Sequence, residues 1–193
     1  MGEQRSEAWK ARTVARARRV VLARPAGEDE AELLALRRAS WAFLAPWEPD
    51  LPGVDPLGPS WFVRYMKFGP QQRRERWLVR MRRSGAIRGS ITLGEIDMVA
   101  RKATIGYWIG ARHARRGLMS EALGLALAQA FDVYVLERVE AFVLPENEPS
   151  KRLLAKLGFR LSGIARGYQR LHGEDRDHER WELARAQRPQ SRR

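Results

Sequence analysis

The sequence predicts an α/β fold in a single domain, with a mixed, mostly antiparallel sheet and helices on both faces. Three observations predict it. Apolar residues recur at strand spacing in seven stretches and at helical spacing in four, in the order strand, helix, helix, three strands, helix, strand, helix, two strands. The 193 residues, 44% hydrophobic and 31% charged, suit one domain with a well-formed core. The helical stretch from Leu118 to Phe131 is apolar around most of its circumference, so it packs against a sheet rather than lying on the surface.

Residues 1–19 are polar and basic, with Arg12, Arg16, Arg18 and Arg19, and read as an arm before a domain spanning 20–184. Glu3 and Glu7 argue against an organelle transit peptide, and no apolar signal core follows. Met1-Gly2-Glu3-Gln4-Arg5-Ser6 fits a myristoylation pattern only formally. Val20–Arg24 makes the first strand. Pro25 and Gly27 turn the chain, and Glu28, Asp29 and Glu30 favour a helix start there, with a helical apolar face running to Leu44. Pro46 and Pro49 stop that helix, and four prolines with two glycines across residues 49–60 shape a loop. A second helix covers Ser60 to Phe68. Strands follow at Trp77–Met81, Ile87–Ile96 and Ala103–Gly110, before the Leu118–Phe131 helix. A strand at Arg138–Leu144, a helix at Pro149–Leu157 and a strand pair at Phe159–Gly163 and His178–Leu183 complete the domain. A polar tail occupies 185–193.

Composition removes several classes of chemistry. The absence of cysteine excludes disulfides, thiolate metal sites and a cysteine nucleophile. His113, His172 and His178 have no metal-ligand spacing, so no metal site is expected. No apolar run approaches the roughly 18–20 residues of a membrane span. The formal charge of +13 favours polyanions such as RNA or phosphorylated cofactors. Only five of the 36 basic residues are lysine, a bias that an arginine-rich proteome also explains.

Chemistry concentrates after the Ala103–Gly110 strand. There Ala111-Arg112-His113-Ala114-Arg115-Arg116-Gly117 form a cationic turn, and Leu118-Met119-Ser120 open the apolar helix. Free N–H groups at a helix start, with three arginines before it, make a place for phosphate oxygens. Further on, Asn147 sits at a helix cap, Pro149 in the first turn and Gly158 at the end of Ser150-Lys151-Arg152-Leu153-Leu154-Ala155-Lys156-Leu157.

The first of these stretches resembles the acyl-CoA-binding motif of the GNAT N-acetyltransferase superfamily: Gln or Arg, two residues, Gly, one residue, Gly or Ala. Here it runs Arg112 to Gly117, with Arg115 in place of the first glycine. Arg115 is expected to aim its N–H at a pyrophosphate with its own backbone in the right-handed region. Asn147 with Ser150, followed by Leu157-Gly158-Phe159, is a second GNAT arrangement in the correct order, and the element order of residues 20–184 agrees. The finer resemblance is to bacterial ribosomal-protein-alanine N-acetyltransferases. Phe43-Leu44-Ala45-Pro46-Trp47-Glu48-Pro49, Gly117 to Leu123, Leu154 to Phe159 and Gly173 to His178 carry it.

The resemblance implies a cytoplasmic enzyme that moves an acetyl group from acetyl-CoA to the N-terminal alanine of a ribosomal protein, in a ternary complex and without metal. Trp108, Ile109, Gly110, Arg112, Arg115, Arg116, Gly117, Leu118, Met119, Ser120, Asn147 and Ser150 would bind the cofactor. Many GNAT enzymes protonate the departing thiolate with a tyrosine at the place Leu154 occupies. Ser150, one turn earlier, is the candidate here. Glu95, beside the cofactor strand, and Glu48, in the shaped loop, are candidates for binding or deprotonating the ammonium group. An α-amino group, with a reference pKa of about 7.7–8.0, needs far less help than a lysine at about 10.4. Trp47 is a candidate for the peptide channel, although core packing also accounts for Trp41, Trp47 and Trp61. Acetylation of a small amine or of another protein terminus is the alternative within the enzyme class, and a ribosome- or rRNA-binding role on the same scaffold is the alternative outside it.

Overall fold

In the computed structural model, residues 8–67 and 73–188 are described. One sheet holds eight strands: β1 (Thr13–Arg16), β2 (Val20–Ala23), β3 (Glu75–Met81), β4 (Ile87–Asp97), β5 (Lys102–Ile109), β6 (Arg138–Val143), β7 (Arg160–Leu171) and β8 (Glu174–Ala184). Their order across the sheet is β1-β2-β3-β4-β5-β6-β8-β7, and every pairing is antiparallel except β5 with β6. The helices are α1 (Glu30–Arg38), α2 (Trp41–Leu44), α3 (Pro59–Met66), α4 (Leu118–Ala128) and α5 (Glu148–Lys156).

Strand alternation divides the side chains between two faces. One face sends Trp77, Val79, Ile91, Leu93 and Ile105 against α4, whose Leu123 and Ala126 are fully covered. On the other face Leu78 and Ile87 meet Leu33 and Leu34 of α1 and Trp61 and Phe62 of α3. Tyr65 is buried there too, its hydroxyl 2.8 Å from Ser90 Oγ. Beyond α3 this second face is open and polar.

The fold departs from the sequence reading in four places. Thr13–Arg16, read as part of the arm, is an edge strand pairing with Val21–Ala23. An edge position tolerates its charges, because solvent covers one side. Residues 1–7 of the arm and 189–193 of the tail lie outside the described residues, as does Phe68 at the expected end of the second helix. The first helix breaks at Ala39-Ser40, and Ser40 Oγ there accepts the Ala111 N–H at 3.1 Å. The apolar helix ends its α-helical part at Ala128 and continues as a π turn, Gln129–Val133. The terminal hairpin is much longer than expected. Its bulges between Leu161 and Gly163 and between Ala165 and Gln169 break the alternation that would have marked it.

Gly89 is required by packing. A Cβ there would run into the carbonyl oxygen of Trp108 on the neighbouring strand. Gly106, two positions before Trp108 on β5, has open space where its Cβ would be. Gly89→Ala should therefore cost about 1–3 kcal/mol, the usual penalty of overpacking, whereas Gly106→Ala should leave the thermal midpoint in place. Circular-dichroism melts of the two variants compare them directly.

Candidate active site

The parallel pair makes the site. β5 and β6 are in register only at Lys102–Arg138, Ala103–Val139 and Thr104–Glu140. Past Thr104 the strands separate, and a cavity of about 1400 Å3 opens between Gly106–Ile109 on one side and Ala141–Leu144 on the other. A crevice beyond the carboxyl ends of parallel strands is where α/β proteins place ligands. The peptide groups of β5 have a defined polarity there. The Gly110 N–H donates to Arg88 O of the β3–β4 side at 2.8 Å, so even-numbered amides of this stretch face β4. The amides of Tyr107 and Ile109 consequently face the opening.

At one end of the cavity lies the start of α4. Gly117 caps this helix with φ +72°, and no side chain bonds its first amides. The N–H groups of Leu118, Met119 and Ser120 are therefore available, as at any uncapped helix start. Arg115 has φ +59°. This corrects the right-handed conformation expected for it: the loop adopts the left-handed turn that the motif glycine ordinarily provides, at a cost of roughly 1–2 kcal/mol for the side chain. The loop is held from behind. Glu121 accepts the backbone N–H of Arg19 at 2.5 Å and its Nε at 2.8 Å, and Arg19 also donates to the Arg116 carbonyl at 2.9 Å. Apart from Glu121, which Arg19 occupies, the charged side chains of this loop are basic. Burial, followed by Arg88, Arg116 and Arg112, holds the His113 imidazolium below the usual histidine range.

Deeper in, α5 brings Asn147 and Ser150 to the same cavity. Asn147 Oδ1 caps the helix by accepting the Ser150 N–H at 3.2 Å. Ser150 Oγ lies 2.7 Å from the Tyr107 hydroxyl. Burial pushes that phenol up to about 12, so it remains protonated at ordinary pH. Leu154, at the family tyrosine position, is fully buried in the core.

Toward the mouth, Glu95 sits at a bulge between Gly94 and Asp97 of β4, with φ +48°. Such a conformation in a non-glycine residue is costly and often accompanies function. Its exposed carboxylate lines the cavity. Glu48 lines it as well, but Arg37 Nη1 and Nη2 occupy both its oxygens at 3.0 and 2.7 Å. Phe43 and Trp47, both partly exposed, edge the mouth. The hairpin closes the far wall with Tyr168, stacked on Phe142 at 4.0 Å and edge-on to His178 at 5.1 Å. Asp50 ties the shaped loop to the hairpin tip by accepting the N–H groups of His172 and Gly173 at 2.9 and 2.7 Å.

The structure thus brings Glu48, Glu95, Trp108, Ile109 and Arg115 to one cavity, together with Gly117 to Ser120, Asn147 and Ser150. Gly110, Arg112 and Arg116 do not line it. Gly110 is packed instead, with Leu36 Cδ1 only 2.6 Å from where its Cβ would stand. Nothing in the sequence marks Tyr107 or Tyr168 as a site residue. A tyrosine on an apolar strand face reads as core, and its contact with Ser150 spans 43 residues.

The sequence profile of the acetyltransferase (GNAT) domain matches residues 19–160. The chain belongs to the GNAT family. Acetyl-CoA is the acyl donor of that family, and the splayed strands, uncapped helix start and cationic loop fit it: an opening for the pantetheine arm and amides for the pyrophosphate. Among solved structures, RimJ of Mycobacterium smegmatis in complex with CoA-disulfide has a TM-score of 0.82 and 30% identity, covering 89% of this chain and 85% of that one. Among curated proteins, the uncharacterized N-acetyltransferase YoaA of Bacillus subtilis is 34% identical over 107 residues, 55% of this chain and 60% of that protein. The [ribosomal protein uS5]-alanine N-acetyltransferase of Escherichia coli is 39% identical over 74 residues, 38% of each chain. The alignments with these two curated relatives therefore span 38–60% of the relatives' lengths.

Proposed function

We propose that this GNAT protein transfers the acetyl group of acetyl-CoA directly to the α-amino group of a protein N-terminus, an alanine of a ribosomal protein, in the cytoplasm. The observation that carries the reading is that one continuous cavity passes between the splayed strands. It joins the uncapped start of α4 to a mouth edged by Glu95, Phe43 and Trp47, so donor and acceptor reach the β5 edge together. The name of the E. coli relative supports the substrate class. No helix among the described residues is long and apolar enough to cross a membrane.

Bound acetyl-CoA supplies an activated thioester; the chain's residues do the rest. The amides of Leu118, Met119 and Ser120 hold phosphate oxygens, and the loop arginines add charge. The Ile109 or Tyr107 N–H, facing the gap, donates to the thioester carbonyl and stabilises charge developing on its oxygen. Glu95 attracts the ammonium group and takes its proton, directly or through water. Ser150 donates a proton to the thiolate, with Tyr107 behind it to fix its hydroxyl and resupply the proton.

Peptides beginning Ala, Ser or Met, and one blocked at the N-terminus with an internal lysine, test this reading in an acetyl-CoA turnover assay. The alanine peptide should react fastest and the blocked peptide not at all. Equal or faster reaction of the blocked peptide would overturn it.

A further inference from the structure

Three guanidinium groups converge on the open part of the second sheet face. Arg64 comes from the last turn of α3, Arg74 immediately precedes β3 and Arg76 lies within it, and all three line the cavity. Arg76 Nη1 donates to the carbonyls of Arg64, at 3.3 Å, and of Tyr65, and its Cζ lies 4.7 Å from the Tyr65 ring centroid. Its Nε is buried without any acceptor. The Arg74 Nε is 3.9 Å from where a Cβ on Gly94 would stand, so it lies over the strand that presents Glu95.

The buried arginines Arg37 and Arg80 each have a carboxylate partner, although the Arg80 Nε, like that of Arg76, has no acceptor. Arg37 has Glu48, and Arg80 has Asp29. Among the described residues, Arg64, Arg74 and Arg76 have no carboxylate within 4 Å, although each lines a cavity that also holds Glu95. Burial and the neighbouring Arg74 and Arg64 hold Arg76 down at about 10. A buried donor without an acceptor and unpaired like charges are both unfavourable, and a carboxylate relieves both through charge-assisted, forked hydrogen bonds.

Spacing fixes where that carboxylate sits on the acceptor. Arg76 is opposite Thr92 on β4, which is opposite Gly106 on β5. Two strand spacings, about 10 Å, therefore separate the arginines from the β5 edge that faces the thioester. An extended peptide advances about 3.4 Å per residue, so the group lies about three residues from the reacting amine. We infer that Arg64, Arg74 and Arg76 form an acceptor subsite for an acidic side chain within the three residues after the N-terminal residue of the substrate peptide. The inference rests on the peptide-transfer reading above and narrows it from any alanine terminus to an acidic one.

The test uses the full chain with CoA bound. Peptides beginning with alanine and carrying one Glu at position 2, 3 or 4 are compared with their Gln counterparts, by KM in turnover and by Kd from calorimetry. At least one Glu peptide should bind about tenfold better than its Gln counterpart, and Arg74→Gln and Arg64→Gln, both at positions that are not fully buried, should each shrink that ratio toward one. Equal Kd and KM for every Glu and Gln pair overturns the subsite while leaving acetyl transfer intact. Tighter binding of a Glu peptide without acetylation of any peptide supports the subsite and overturns the transfer reading. Preference for a phosphorylated small amine over every peptide overturns the peptide assignment of the arginines.

Discussion

Ser150→Ala is expected to lower kcat for the alanine peptide by about a hundredfold or more, the range lost with a positioned general acid. The reason is geometric. Ser150 is the hydroxyl that α5 carries into the cavity, its amide fixed by Asn147 at 3.2 Å and its oxygen held by Tyr107 at 2.7 Å. No tyrosine occupies the next turn, where Leu154 is sealed in the core. Tyr107→Phe keeps the ring and removes the proton behind Ser150, so a smaller loss, about tenfold, should appear in kcat. The pH profile adds a second check. With the Tyr107 hydroxyl at about 12, the phenol stays protonated through the assay range. The rate should rise as the acceptor amine deprotonates, near its reference value of about 7.7–8.0, and show no alkaline fall from Tyr107 below pH 10 or so. A Ser150→Ala enzyme with wild-type kcat would remove serine from the chemistry.

The largest effect on stability is expected from Arg37→Ala. Arg37 is only 1% exposed, grips Glu48 with both terminal nitrogens and donates Nε to the Pro56 carbonyl at 2.7 Å. Its Cζ stands 4.2 Å from the Trp61 ring centroid, 5.2 Å from Trp41 and 5.9 Å from Trp108. It is the peg on which α1, the shaped loop and the cofactor strand are hung. Breaking a buried pair from one side costs about 3–5 kcal/mol, which in a domain of this size lowers the thermal midpoint by about 6–20 °C. Arg37→Lys should recover little of it, because a point charge cannot reproduce the fork or the stacking. The same geometry separates the two base candidates. Glu48→Gln should lower the melting temperature more than its effect on kcat would require, whereas Glu95→Gln should reduce kcat with little change in stability. The opposite pattern would make Glu48 the base.

Much of this was legible in the residues. The uncapped helix after a run of arginines, the Asn147 cap and the order of elements are local patterns, set by periodicity, turn residues and capping. The rest depends on contacts distant in sequence. Nothing around Glu48 announces that Arg37, eleven residues back at the end of α1, would close on it across a break at Ser40. The Tyr107–Ser150 contact and the arginine cluster arise only when β3, β5 and the helices are folded together. Arg115 shows a different limit. Composition makes a left-handed arginine an unfavourable guess, yet the loop imposes that backbone because Gly117, the helix start and the Arg19–Glu121 clamp fix the chain on its C-terminal side. The length of the terminal hairpin is hidden because β7 is largely exposed on both faces and its bulges erase the period of two.

An α-amino group, and not a side-chain amine, is expected to meet the thioester at the β5 edge. It is tested most directly by incubating the protein with acetyl-CoA and an alanine-first peptide that also contains a lysine, then locating the added acetyl group by fragmentation mass spectrometry. A single acetyl group on the N-terminal nitrogen is expected. Acetyl on the lysine with the terminus left free would contradict it.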